Sequence, residues 1–405
     1  MSGARDRGAY LFEAAALPTL SGVLYFLSYI GFGIWPLAFV CFLPLLWSLR
    51  DATPRQALGR GAWMGFVAHL GGYTWIMHLL RVFAFASWPV AFLGYLLLCA
   101  VQGFLFGVFA LALRWAWTLT GWRLAALLPL VLCATEYTYP LLFQSYTGAA
   151  LLPLLATVQI ADLGGALLLT ALQALVNGAA ADALFALTIR QLLPVRPLLA
   201  AGLAVLVSTV YGSWRIERMR ALEKAAPMRI VGLVQPNVGG IELHRNPYAS
   251  VSALWSETRE LQGRGADLVI WPEVSFNLWP VRATDDGRAI QGGVPVSVIA
   301  GVERTEGKSL WNSAISISSD GRIGDHFDKI QLLAFGEYMP LGDVFPCSTS
   351  GRRSPRTSRP ARARPRCARA GTGSRHSSAT RTSCRASCGG SWMTMARGAR
   401  TLWST

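Results

Sequence analysis

Apolar residues run in seven long blocks through the first half of the chain, roughly at 11–30, 32–49, 61–80, 86–113, 123–143, 159–187 and 197–214. About 20 mostly apolar residues suffice for a helix to cross a bilayer. The pattern therefore predicts a multi-pass α-helical membrane domain over residues 1–214, with seven spans. Only Gly31-Phe32-Gly33 separates the first two blocks, which predicts a tight helical hairpin. The first block holds Glu13 and Pro18, and no cleavable-signal pattern precedes it. From Arg215 the texture changes. Short runs rich in β-branched residues at 228–234, 267–271, 296–302, 314–318 and 323–327 predict strands, and 250–262 has helical spacing. Gln235-Pro236-Asn237, Pro272 and Ser319-Asp320-Gly321 punctuate them as turns. Continuous apolar runs suggest strands covered on both faces, and active groups in such sheets tend to sit at strand ends. Residues 215–346 are thus expected to form an α/β domain.

Composition agrees with the pattern. Charged residues are 15% of the chain, against about 25% in an average soluble domain, and mean hydropathy is +0.38. Charge then orients the spans through the excess of Lys and Arg in cytoplasmic loops. With Arg5 and Arg7 inside, the inner loops also hold Arg50, Arg55, Arg60, Arg114, Arg123, Arg190 and Arg196, whereas the outer loops hold only Arg81. This predicts a cytoplasmic N-terminus, and seven spans send everything after Trp214 to the outer face. Tryptophans such as Trp35, Trp75, Trp88 and Trp115 read as interfacial anchors. Glu136, Asp162 and Asp182 lie near predicted span ends, which suggests solvated interfacial carboxylates. His69 and His78 are nine apart, on opposite faces of a helix, and do not form a metal pair.

The net charge of +15 invites a nucleic-acid partner, but thirteen of those charges are arginines in residues 347–405, leaving +2 for residues 1–346. The basic excess belongs to the tail, and no nucleic-acid partner is expected. The tail has no Ile, no Val, no Lys and no acidic residue, so it is expected to be disordered and basic. Cys41, Cys99 and Cys133 sit in apolar runs and read as small buried hydrophobes; Cys347, Cys367, Cys384 and Cys388 lie in the tail. No zinc spacing appears among them, and neither a metal nor a cofactor is expected.

Two places in the α/β segment carry candidate chemistry. Glu273 follows directly on a buried strand and a proline, in Ile270-Trp271-Pro272-Glu273. The local pattern leaves open a solvated loop carboxylate or a presented catalytic one. Lys329 sits in Phe327-Asp328-Lys329-Ile330-Gln331-Leu332, ahead of Phe335-Gly336-Glu337-Tyr338-Met339-Pro340-Leu341. It is one of three lysines (with Lys224 and Lys308) in a chain that otherwise uses Arg, which hints at a need for a compact ammonium.

In their order and spacing these parts resemble the nitrilase superfamily and, within it, the apolipoprotein N-acyltransferase family. The resemblance covers most of residues 1–346. It rests on Thr135-Glu136-Tyr137 in the multispan domain, Val234-Gln235-Pro236-Asn237, Leu268 to Glu273, Asp328-Lys329, and the stretch from Phe335 to Pro340. It implies a nitrilase-like αββα sandwich, here incomplete, over residues 215–346. It also implies a two-step acyl transfer at a bacterial inner membrane. A cysteine thiolate takes an acyl chain from a phospholipid, and the thioester passes it to the N-terminal amine of a diacylated apolipoprotein. In that scheme Glu273 is the general base, Lys329 stabilises thiolate and oxyanion, and Glu337 is a supporting carboxylate. Phe276 and Trp279, just after Glu273, are candidates for lipid contact, with core packing as the alternative.

The chain departs from the family beyond the FGE motif. The family's nucleophile lies in an apolar strand before an aromatic residue and a Glu, and no tail cysteine has that setting: Cys384 reads Ser383-Cys384-Arg385, and Cys388 precedes two glycines. The family's last span is missing as well. Two readings of the tail stand: a basic arm for anionic lipid, or out-of-frame translation of a GC-rich gene from about Pro346. The second implies a catalytically dead chain. Other functions left open are a membrane-tethered amidase of the same superfamily and a transporter or receptor with an appended soluble module.

Overall fold

The computed structural model describes residues 12–29, 31–82, 86–239, 246–307 and 309–332. The chain divides into two compact units, Met1–Ala221 and Leu222–Thr405.

Every apolar block of the first unit is helical. A π-type turn at Phe12–Ala16 leads into α1 (Leu17–Ser28), and a 3-10 turn at Trp35–Phe39 precedes α2 (Leu43–Leu49). Then come α3 (Pro54–Gly72), α4 (Trp75–Val82), α5 (Trp88–Thr120), α6 (Leu124–Thr138), α7 (Ala161–Thr188) and α8 (Val195–Ala225). Among the described residues, three helices are long and apolar enough to cross a membrane: Trp88–Thr120, Thr157–Thr188 and Val195–Ala225. Ala14–Ser28, Trp35–Leu49 and Leu124–Thr138 are apolar but shorter. At 1.5 Å per residue α6 reaches about 22 Å, against about 30 Å of hydrocarbon. The block at 61–80 is divided, because α3 ends at Gly72 and α4 begins only at Trp75. Hydropathy alone predicts seven spans; the structure has a helical unit with three candidates. The last helix, expected to stop at 214, continues to Ala225. Helix α7 is broken near its start, where Gly165 takes φ +69° after a non-helical Gly164.

The centre of this unit is the crossing of α3 and α5. Each carries a Gly-x-x-x-Gly spacing, Gly61/Gly65 and Gly103/Gly107. A Cβ on Gly65 would stand 2.0 Å from the Gly103 carbonyl oxygen, and one on Gly61 would stand 2.2 Å from that of Phe106. The two backbones therefore touch directly, the way small residues join helices where no hydrophobic effect is available. Around the crossing Phe42, Leu45, Leu46, Met64, Phe109, Leu113 and Leu128 are wholly buried.

Polar clips hold the irregular segments to this core. Asn177 on α7 accepts from Phe42 N (3.1 Å) and donates to Ala38 O (2.8 Å), and Ser21 accepts from Leu45 N (2.8 Å). Asp182 on α7 accepts from the backbone N–H groups of Leu124 (3.0 Å) and Ala125 (3.1 Å), capping the start of α6 from another helix. Asp162 accepts from the Tyr211 hydroxyl (2.7 Å) and Arg215 (2.6 Å) at a partly exposed position. Glu136 is not the solvated carboxylate expected: it is 2% exposed. The chain beyond α6 folds back over it, so that Glu136 accepts from Thr147 N (2.8 Å) and from the Thr170 hydroxyl (2.8 Å).

The second unit is built on a six-stranded mixed sheet ordered β1-β2-β4-β5-β6: β1 (Val231–Leu233), β2 (Leu268–Ile270), β4 (Ser297–Glu306), β5 (Ser309–Ile317) and β6 (Ile323–Asp328). β1, β2 and β4 are parallel; β4, β5 and β6 are antiparallel. β3 (Phe276–Val281) pairs parallel with β4 off this path. Helix α9 (Pro247–Gly263) contributes Val251 and Leu254 to the core, with Val269, Val298, Ala300 and Ile315 from the strands. Asn246 caps it by accepting from Tyr248 N (3.1 Å). Glu337, the tail cysteines and the basic tail lie outside the described residues.

Gly65→Leu is expected to force α3 and α5 apart and destabilise the helical unit by at least about 1–3 kcal/mol, the usual cost of overpacking. Thermal unfolding of the detergent-solubilised chain, followed by circular dichroism, measures it.

Candidate active site

Strand β2 ends at Ile270, and its exit is fixed on both sides. Trp271 N donates to Ile299 O (2.9 Å) on β4, and the buried Trp271 indole donates to the buried Thr258 hydroxyl (2.9 Å) on α9. Pro272 then turns the chain out and exposes Glu273. The next residue, Val274, has φ +46°. A β-branched side chain rarely accepts that region, and holding it there costs of order 1–3 kcal/mol. Ser275 N bonds Gly301 O (2.9 Å), which returns the chain to the sheet as β3. The turn lies so close to β4 that a Cβ on Gly301 would stand 2.2 Å from Pro272 O and 2.7 Å from Glu273 Cα.

Lys329 enters from the far side of the sheet. Its backbone N–H donates to Asn312 O (2.8 Å), extending the β5–β6 ladder by one residue beyond Asp328. Its ammonium lies 2.8 Å from Glu273 Oε1, and Asn312 Nδ2 donates to that same oxygen (2.6 Å). The structure thus brings Glu273 and Lys329 together across 56 residues of sequence. The side chains are 62% and 34% exposed. An ion pair that open to water is worth at most about 1 kcal/mol, so its role is not to hold the fold.

What holds Lys329 is on the opposite face of the same strands. Side chains alternate along a strand. With Asn312 and Lys329 on one face, Arg304, Ser313 and Asp328 fall on the other. Arg304 grips Asp328 with two bonds, Nε to Oδ1 at 3.1 Å and NH2 to Oδ2 at 2.8 Å, and the Ser313 hydroxyl donates to Oδ1 (2.5 Å). The pair is nearly buried, at 8% and 12% side-chain exposure. Burial pushes the Asp328 carboxyl up, but the bonds from Arg304 and Ser313 outweigh it and hold the group below the usual aspartate range. For Arg304 burial acts downward, and the bonds to Asp328 and Glu306 prevail, raising it further.

The two lipid-contact candidates part company. Both belong to strand β3 and not to a loop. Phe276 has no exposed surface and sits in the core. Trp279 is 38% exposed and stands edge-on to Phe276, ring centroids 4.8 Å apart.

Sequence reasoning missed Asn312, Gly301 and the Arg304–Ser313–Asp328 clamp. Asn312 lies in an ordinary strand sequence and acquires its role only through pairing. Arg304 carried a usable sign: a lone Arg inside the run Ser297–Glu306, where a charge must find a partner.

In the chain an apolar helical unit is followed by a sheet that presents a carboxylate, an ammonium and an amide together. Residues 21–179 match the family model described as "Apolipoprotein N-acyltransferase N-terminal domain". Curated relatives extend the likeness into the second unit. Apolipoprotein N-acyltransferase of Geobacter metallireducens is 28% identical over 82% of this chain and 66% of its own length. That of Bdellovibrio bacteriovorus is 27% identical over 81% and 64%, and that of Sinorhizobium medicae 30% over 80% and 65%. The chain thus spans just under two thirds of the length of these relatives.

Two outcomes test the clamp. Because the folded Asp328 carboxyl titrates below its unfolded value, its contribution is present above the unfolded aspartate pKa of about 3.9 and is lost as pH falls below it. Amide protection factors in β5 and β6 should therefore fall below about pH 4, and Asp328→Asn should flatten that dependence. Arg304→Met leaves the buried Asp328 carboxylate without its guanidinium and should cost about 3–5 kcal/mol, read as protection lost in the same peptides.

Proposed function

We propose that this chain carries the front part of a lipoprotein N-acylation machine. The donor is a phospholipid, the acyl chain passes through a cysteine thioester, and the acceptor is the N-terminal amine of a diacylated apolipoprotein. The observation that carries the reading is the meeting of Glu273 and Lys329 at 2.8 Å, supported by Asn312. The relatives named for this activity point the same way.

Each residue has work suited to its chemistry. Glu273 takes the thiol proton and later the proton of the attacking amine. Lys329 favours thiolate beside it and neutralises the oxyanion of the tetrahedral intermediate. The bond from Asn312 fixes which oxygen of Glu273 faces Lys329. Trp279 offers an apolar surface to the acyl chain. The resemblance adds Glu337 as a supporting carboxylate, a seven-span topology with a cytoplasmic N-terminus, and a catalytic unit on the outer face of the inner membrane. The same reading includes a deficit. Cys41, Cys99 and Cys133, the cysteines among the described residues, all belong to the helical unit. No tail cysteine has the strand setting of the nucleophile, so the chain as written forms no thioester and an out-of-frame tail accounts for it.

The test restores the downstream reading frame and follows transfer from a radiolabelled phospholipid to a diacylated lipopeptide. The restored protein should transfer acyl chains, and Glu273→Gln or Lys329→Met should reduce the rate at least about 100-fold with little change in thermal stability. Full activity in both variants would remove the assignment; a frame that encodes no Cys-aromatic-Glu strand would remove the account of the tail.

A further inference from the structure

The turn that presents Glu273 is held in a shape that it would not take by itself. Val274 sits at φ +46°, a region from which a β-branched side chain relaxes when it can. Such a conformation persists only where the surroundings over-determine it. The sheet supplies one set of constraints, the bonds from Trp271 N to Ile299 O and from Ser275 N to Gly301 O, both 2.9 Å. They anchor the backbone on either side of the turn. A second set comes from a single helix.

Helix α9 meets the strand ends with three polar side chains. Thr258 accepts the indole N–H of Trp271 at 2.9 Å, Ser250 donates to Ser275 O at 3.4 Å, and Glu257 accepts from Gln235 N at 3.1 Å just beyond β1. Ser250 and Thr258 share the buried face of the helix with Leu254, which lies midway between them. The Thr258–Trp271 bond is the shortest of the three and lies inside the core, with Thr258 at 0% and Trp271 at 4% exposure. Its surroundings are apolar, built from Val251, Leu254, Val269 and Phe276. A satisfied polar pair in such a place supplies direction: it selects one orientation of a ring that packing alone would tolerate in several. Pro272 fixes its own φ, so the orientation of Trp271 passes to Glu273 through a joint with little freedom.

We propose that Thr258 is a positioning residue for the Glu273 site: through Trp271 and Pro272 it keeps the Glu273 carboxylate within reach of the Lys329 ammonium. With the bond cut, Val274 can relax toward ordinary backbone, and Glu273, carried on the preceding peptide, turns away from Lys329. Lys329 itself stays in place, because the Arg304–Asp328 clamp holds its strand from β4. The role deepens the reading of Glu273 as general base and rests on it. Its test reads the Glu273–Lys329 contact without turnover.

The experiment acetylates the detergent-solubilised full chain with N-hydroxysulfosuccinimidyl acetate at fixed pH and follows each lysine by peptide mass spectrometry. The chain has three lysines, so Lys224 and Lys308 serve as internal standards for Lys329. The reagent attacks the neutral amine, and a neighbouring carboxylate keeps a lysine charged. Glu273→Gln should therefore speed Lys329 acetylation about threefold relative to the other two. Thr258→Val should reach a similar rate, and so should Trp271→Phe, which breaks the same bond without leaving a donor buried. Thr258→Ser keeps the hydroxyl and should match the unaltered chain. Amide protection in β5 and β6 should be unchanged in every variant, because the clamp belongs to other elements. An unchanged Lys329 rate in Thr258→Val and Trp271→Phe, alongside a faster one in Glu273→Gln, would overturn the role of Thr258 and leave the pair standing. No acceleration in Glu273→Gln would remove the pair itself, and with it both this role and the active-site reading. Equal acceleration in Thr258→Ser and Thr258→Val, or acceleration accompanied by lost protection in β5 and β6, would make Thr258 a packing residue only and overturn the proposal.

Discussion

The placing of Glu273 depends on a missing side chain on the neighbouring strand. Gly301 lies in the middle of β4, and the turn Pro272–Glu273 rests on its α-carbon so closely that no methyl group fits between them. That approach allows Ser275 to bond back to Gly301 and forces Val274 into a backbone region that valine avoids. The conformational cost at Val274 is met by the bonds of Trp271 and Ser275 on either side of it. The carboxylate therefore stands at a fixed point above the sheet, and Lys329 and Asn312 can be brought to the same oxygen.

Much of the architecture is legible in the chain itself. All five predicted strands and the helix at 250–262 exist, because continuous β-branched runs and turn residues state them locally. Glu273 and Lys329 are likewise found by local sequence, one by its proline and the other by being a lysine at all. What local sequence does not state is pairing. Asn312 matters because β5 lies beside β6, and Arg304 because a partner arrives from 24 residues away. Strand β3 is absent from the runs that the sequence marks as strands, since Pro280 and the turn before it mask the alternation. In the helical unit, hydropathy locates every helix but not its breaks. Tyr73-Thr74 and Gly164-Gly165 interrupt apolar runs without lowering their apolarity.

The helical unit also shows where polar groups are tolerated among apolar ones. Asn177, Ser21 and Asp182 each satisfy backbone groups that a 3-10 turn or a helix start leaves open. They replace the bonds that a continuous helix would make for itself. Irregular backbone here is therefore attached to the core by side chains from neighbouring helices, and its shape depends on sequence far from it. Glu136 does the same for the 3-10 turn at Thr147.

The separation of faces in β5 and β6 carries a consequence for how such a site can change over time. The residues that grip the strands point one way, and Asn312 and Lys329 point the other. Drift on the face of Asn312 and Lys329 leaves the grip intact, so that face can be explored by substitutions that do not first endanger folding. Conversely, the grip can be lost by changes that leave the exposed face unaltered. Where selection on these strands lapses, the two faces should then erode at different rates, the exposed one first.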